Sequence, residues 1–192
     1  GVSRAMTQSP LGHTIGVVAH NCYEDSLSEP EDNLVASIDR MADAVAEGAD
    51  LIEWDVRQAD GEWVLEHDDL WGSDAARVAD VVGRPELATW DQPIYVEIKE
   101  RDPRLEGTRA LLEMMLDAGL AVNGRPLVFR AFQDERIDNL HHLRTLLDSG
   151  DYPLHEHYVR LHVLTDEDTV SGTTAFHSLM HSALDSGFDG IE

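Results

Sequence analysis

The order of its hydrophobic segments constrains this chain more than any other feature. Short apolar runs bounded by turn residues alternate with amphipathic helical stretches. Strands are predicted at residues 15–20, 51–56, 94–99, 126–132, 158–165 and 188–192. Helices are predicted from an Asn33 N-cap through Glu47, and at 105–116, 135–147 and 176–185, with a shorter helical pattern near 74–82. Each helix carries an apolar stripe at helical spacing, such as Leu34, Ile38, Met41 and Val45, or Ile137, Leu140, Leu143 and Leu147. Strand-then-helix repetition selects an α/β fold with a parallel sheet, open or closed into a barrel. Residues 1–14 have no such pattern and read as an irregular leader. Neither an internal repeat nor an interdomain linker is visible, so residues 1–192 are expected to form one domain.

One stretch departs from this rhythm. Residues 49–69 read as strand, tight turn, strand, with Asp60-Gly61 as the turn signal. Because side chains alternate along a strand, Glu53 and Asp55 share one face while Ile52, Trp54 and Val56 share the other. His67 ends the second strand. The same arrangement recurs at residues 94–99, where Glu97 and Lys99 lie opposite Val96 and Ile98, and the first strand ends in His20.

In parallel α/β folds, the edge formed by the strand C-termini is where ligands bind. Three carboxylates converging there repel one another unless a hard cation lies between them. Mg²⁺ or Ca²⁺ suits oxygen ligands and leaves positions for water and phosphate. Glu53, Asp55 and Glu97 are the candidate ligands. His20 and His67 are the candidate general acid and base, and Lys99 would offset charge on phosphate oxygens. These are the parts of a metal-assisted phosphodiesterase.

Composition narrows the partners. A net charge of −24 repels nucleic acid and anionic membrane surfaces. It also repels an anionic substrate, so a phosphate site needs a local cation. No apolar run approaches the ~18 residues of a membrane span, and no signal peptide is visible. The reading is a soluble protein without stable membrane insertion, cytoplasmic or exported with its signal already removed. A single cysteine excludes an internal disulfide framework.

The residues Val18-Ala19-His20, Pro30-Glu31-Asp32-Asn33-Leu34, Gly48 through Val56, Asp60-Gly61, His67-Asp68 and Glu97-Ile98-Lys99 come in an order that resembles the glycerophosphodiester phosphodiesterase family. The resemblance is tightest over residues 15–99. It implies a TIM-type (β/α) barrel and metal-dependent hydrolysis of glycerophosphodiesters to glycerol 3-phosphate and an alcohol. It also implies Glu53, Asp55 and Glu97 as metal ligands, His20 and His67 as the acid/base pair, and substrate phosphate contacts at Lys99 and at the position of Asn21. The substrate's own glycerol hydroxyl would attack phosphorus, one histidine deprotonating it and the other protonating the leaving alcohol, before water opens the cyclic product.

Three departures accompany the resemblance. Asn21 stands where the family carries an arginine, a bidentate fork that asparagine does not replace. The interval from His67 to Glu97 is shorter than the family's inserted subdomain. The C-terminal strands fit loosely, and 192 residues fall short of the ~250 usual for an eight-stranded barrel. The barrel is therefore expected to be compact or C-terminally incomplete. The first two departures also resemble sphingomyelinase D-like phospholipases, acting on lysophospholipid-type substrates. A silent metal- or phosphate-binding module is a further alternative. Other signals count for less. His177 and His181, and His155 and His157, lack a third ligand for zinc; with His141, His142 and His162 they are taken as incidental. Cys22 has no evident base, and Met114 and Met115 fill core.

Overall fold

A computed structural model describes residues 16–68, 74–165 and 173–192; the leader and the start of the connection after the hairpin lie outside the described residues. Strands β1 (Val18–Ala19), β2 (Leu51–Ala59), β4 (Ile94–Ile98), β5 (Leu127–Phe132), β6 (Val159–Leu164) and β7 (Gly190–Ile191) lie side by side in that order, each pair parallel. Strand β3 (Glu62–Leu65) folds back antiparallel on the C-terminal half of β2. The loop joining them places Asp60 at φ 52° and Gly61 at φ 82°, the pair of left-handed residues that a two-residue hairpin turn demands.

Helices α1 (Pro30–Ala46), α2 (Val78–Val82), α3 (Glu106–Asp117), α4 (Ile137–Asp148) and α5 (Thr173–Asp185) occupy the connections. They lie over one face of the sheet. Trp54, Val96, Phe129 and Leu161 point into that layer, where they join Met41, Leu111, Leu112, Met115, Leu140 and Leu143 in a continuous buried cluster. The sheet is curled into a half-barrel. It does not close: among the described residues β7 pairs only with β6, and β1 only with β2.

One expected boundary is corrected. Asn33 is not the N-cap of α1; the helix begins at Pro30, with Glu31 and Asp32 in its first turn. Proline pre-sets φ at the first helical position and acids suit the positive helix end, so together they start the helix earlier. Asn33 is instead fully buried. Its Oδ1 accepts from the Leu27 N–H at 3.0 Å, and its Nδ2 donates to the carbonyls of Leu27 at 2.9 Å and Asp74 at 2.6 Å. It pins the loop that carries Tyr23 and Glu24 to Asp74, ahead of α2.

Candidate active site

The inner face of the curled sheet carries the polar residues. Register sets the first pair: Asp55 on β2 is opposite Glu97 on β4, and Glu97 is opposite Arg130 on β5, which is opposite His162 on β6. Glu53, two residues before Asp55, shares its face. One carboxylate oxygen from each of Glu53, Asp55 and Glu97 lies within 4.8 Å of the others, and all three residues are buried. Among the described residues this is the one such cluster of potential ligands.

The cluster is electrostatically unfinished. Asp55 Oδ2 accepts a hydrogen bond from Tyr23 Oη at 2.8 Å, but Asp55 Oδ1 is buried without a hydrogen-bond partner. Burial, and then the neighbouring Glu97 charge, push the Asp55 carboxyl up to about 6. Burial and the Asp55 charge push the Tyr23 phenol far above its ordinary range, so it remains a donor. Oxygen-only donors, excess negative charge and an orphaned buried oxygen fit a hard divalent cation.

One histidine meets the trio directly, and a second is linked to it through Lys99. His20, exposed just past β1, places Nδ1 2.9 Å from Glu53 Oε2. Just past β4, Lys99 Nζ lies 3.0 Å from Glu97 Oε1 and 3.5 Å from His67 Nε2. His67 Nδ1 in turn meets the Asp68 carboxylate. A carboxylate only accepts, so each Nδ1 carries the hydrogen. In a neutral His67, Nε2 then keeps its lone pair, which is the form that can sit beside an ammonium. The Arg57 guanidinium donates Nε–H to the His67 carbonyl at 2.8 Å and steadies that corner.

Asn21 sits at φ 47°, and its Oδ1 is buried without a hydrogen-bond partner. Together with His20, Cys22 and Arg40 it lines a cavity of about 320 Å³ beside α1. Cys22 is buried, and burial pushes its thiol up to about 11, so it is no thiolate nucleophile at neutral pH.

Four residues of this face escape the sequence reading. Tyr23 lies in a loop with no periodicity. Arg130 brings Nη1 to 3.4 Å from Glu53 Oε2 and Nε to 2.9 Å from Glu192 Oε2. His162, passed over as incidental, places Nδ1 3.0 Å from the same Glu192 oxygen. An arginine in an otherwise apolar strand, at the parity that faces inward, was the available signal. Of the remaining histidines, His155 Nδ1 lies 3.4 Å from the Ala121 carbonyl and His157 Nε2 lies 3.5 Å from Glu156, away from any carboxylate trio.

Fold and site together define an α/β protein whose curled parallel sheet holds a buried acidic cluster on its inner face. No protein-family model and no curated protein matches the chain. Among solved structures it is similar to one described as a "putative glycerophosphodiester phosphodiesterase" from Galdieria sulphuraria, at 15% identity and a TM-score of 0.61, over 91% of this chain and 72% of that one. A glycerophosphodiester phosphodiesterase from Parabacteroides distasonis aligns at 17% identity and a TM-score of 0.43, over 91% and 90% of the two chains. At such identity the likeness to the first is one of fold. No helix among the described residues is long and apolar enough to cross a membrane.

Proposed function

We propose that the chain is a metal-dependent phosphodiester hydrolase that cleaves a glycerophosphodiester to glycerol 3-phosphate and an alcohol. The observation that carries this reading is the buried trio Glu53, Asp55 and Glu97, with the orphaned Asp55 Oδ1, His20 paired to Glu53, and His67 linked to Glu97 through Lys99. The fold likeness to a protein described as acting on such esters agrees with it. In this reading the half-barrel belongs to a TIM-type barrel, and the site occupies the strand ends where barrel enzymes place their chemistry.

Glu53, Asp55 and Glu97 would hold one divalent cation, Mg²⁺ or Ca²⁺. When bound, it polarises a phosphoryl oxygen and neutralises charge that builds in the transition state. His67, whose Nε2 keeps a lone pair beside Lys99, takes the proton from the attacking hydroxyl. His20, oriented by Glu53, gives a proton from Nε2 to the departing alcohol. Water then opens the cyclic phosphate to glycerol 3-phosphate, with His20 taking the water's proton and His67 giving its own to the ring oxygen, which restores both histidines. Lys99 reaches the phosphate from the Glu97 side, and Asn21 lines the approach next to His20. The substrate is a small phosphodiester in water, not nucleic acid, because a −24 chain repels polyanions.

Hydrolysis of glycerophosphocholine with and without Mg²⁺ or Ca²⁺ tests the proposal. Turnover is expected, abolished by chelator and lost in His20→Ala. Equal background rates for the parent and His20→Ala would leave a binding module instead of an enzyme.

A further inference from the structure

The inner face has a second half that the acidic trio does not use. Along one register row, Asp55 and Glu97 are followed by Arg130 and His162. Beyond them Glu192, just past β7, is paired with both: Arg130 Nε lies 2.9 Å and His162 Nδ1 3.0 Å from its Oε2. The face therefore runs from the carboxylates on β2 and β4 to the Arg130 guanidinium on β5.

Arg130 is held from several sides. Its guanidinium carbon lies 5.6 Å from the Tyr95 ring centre, and the Tyr95 ring meets His162 edge-on at 6.0 Å between centroids. The side chain is only 13% exposed. Yet its donors are not consumed. Nε is buried without a hydrogen-bond partner despite its closeness to Glu192, and Nη1 sits at 3.4 Å from Glu53, an ion-pair distance longer than a well-formed hydrogen bond. A fixed guanidinium with unspent donors costs free energy unless something accepts from it.

We propose that Arg130, positioned by Glu192 and Tyr95, is the guanidinium that binds the substrate's phosphoryl oxygens. This rests on the phosphodiesterase reading above. Glu53 is common to both halves: it is a candidate ligand of the cation and the neighbour of Arg130 Nη1, so an anion drawn to the trio comes within reach of the fork. Planar and permanently charged, a guanidinium grips two oxygens of one phosphoryl group, whereas Lys99 offers a point charge on the other side. His162 shares Glu192 with Arg130 and steadies the carboxylate that holds it.

Titration of inorganic phosphate into the Mg²⁺-loaded full chain, beside a Mg²⁺ titration of the same samples, tests this. Arg130→Gln is expected to weaken phosphate binding about tenfold or more with Mg²⁺ affinity unchanged or tighter, since a competing cation has left Glu53. Arg130→Lys restores part of the loss, because charge returns without the fork. Glu192→Gln is expected to weaken phosphate binding by a smaller factor with Mg²⁺ affinity unchanged, because the guanidinium loses the carboxylate that positions it. In turnover, Arg130→Gln raises KM more than it lowers kcat. Phosphate affinity of Arg130→Gln within twofold of the parent overturns the proposal. So does a fall in Mg²⁺ affinity parallel to that for phosphate, which would make Arg130 only a prop for Glu53. Should Arg130→Gln fail to fold, Arg130→Lys decides alone: phosphate affinity within twofold of the parent overturns the assignment. Phosphate bound through Arg130 by a chain that cleaves no diester would break the hydrolase reading and leave this site; turnover untouched by Arg130→Gln would break only this site.

Discussion

Adjacent residues of the same strands live in opposite worlds. Trp54, Val96, Phe129 and Leu161 are essentially inaccessible and apolar; their neighbours Asp55, Glu97, Arg130 and His162 face inward and are polar or charged. The outer face is packed against helices and supplies the hydrophobic driving force. The inner face gathers three buried carboxylates with fewer hydrogen bonds than they can accept, which opposes folding. The difference teaches that stability and chemistry are divided by side-chain parity: shifting a strand by one residue would exchange them.

The two faces should respond oppositely to substitution. The largest effect belongs to the inner face in activity: His67→Gln is expected to lower glycerophosphodiester turnover about 10²- to 10⁴-fold, the usual worth of a general acid or base, while the melting temperature stays within a few degrees. A matching fall in melting temperature would make His67 structural. Next comes the outer face in stability. Trp54→Ala or Phe129→Ala should cost about 3–5 kcal/mol by urea unfolding, through lost burial and the cavity left behind. A loss below about 1 kcal/mol would mean that the helices do not depend on this layer.

Smaller and opposite in sign is Asp55→Asn. The folded Asp55 carboxyl titrates near 6, above its ordinary 3.8, so the fold binds this proton more tightly than the unfolded chain does. The metal-free parent should therefore lose stability through this group as pH rises from about 4 to 6. Asp55→Asn removes that loss. Its advantage over the parent should grow across this window to on the order of 3 kcal/mol at pH 7. An advantage that does not change with pH would assign the repulsion to another group. The smallest effect is chemical: with the Cys22 thiol pushed up to about 11 by burial, alkylation at pH 7.5 should be slow in the folded chain and fast on unfolding. Rapid native labelling would show the wall between α1 and the His20 loop to be open.

Much of this was legible in the chain. Period-2 alternation in residues 51–56 and 94–98 separated Glu53, Asp55 and Glu97 from Trp54 and Val96, because a strand enforces that alternation whatever its partners. The Asp60-Gly61 turn was equally local. What escaped depends on pairing between distant segments. Arg130 sits beside Glu53 only because β5 follows β4 in register, and Glu192 joins it only through β7. Tyr23 reaches Asp55 from a loop shaped by Asn33, whose amide ties two loops together in place of capping a helix.

The claim on which the site rests is that Glu53, Asp55 and Glu97 grip one divalent ion together. Titration calorimetry of Mg²⁺ or Ca²⁺ into the metal-free chain at pH 7 tests it most directly, with Glu53→Gln, Asp55→Asn and Glu97→Gln alongside. One equivalent should bind to the parent and raise its melting temperature, and each neutralised variant should lose that binding while remaining folded. Binding of the same strength in all four proteins, or none in the parent, would contradict the account.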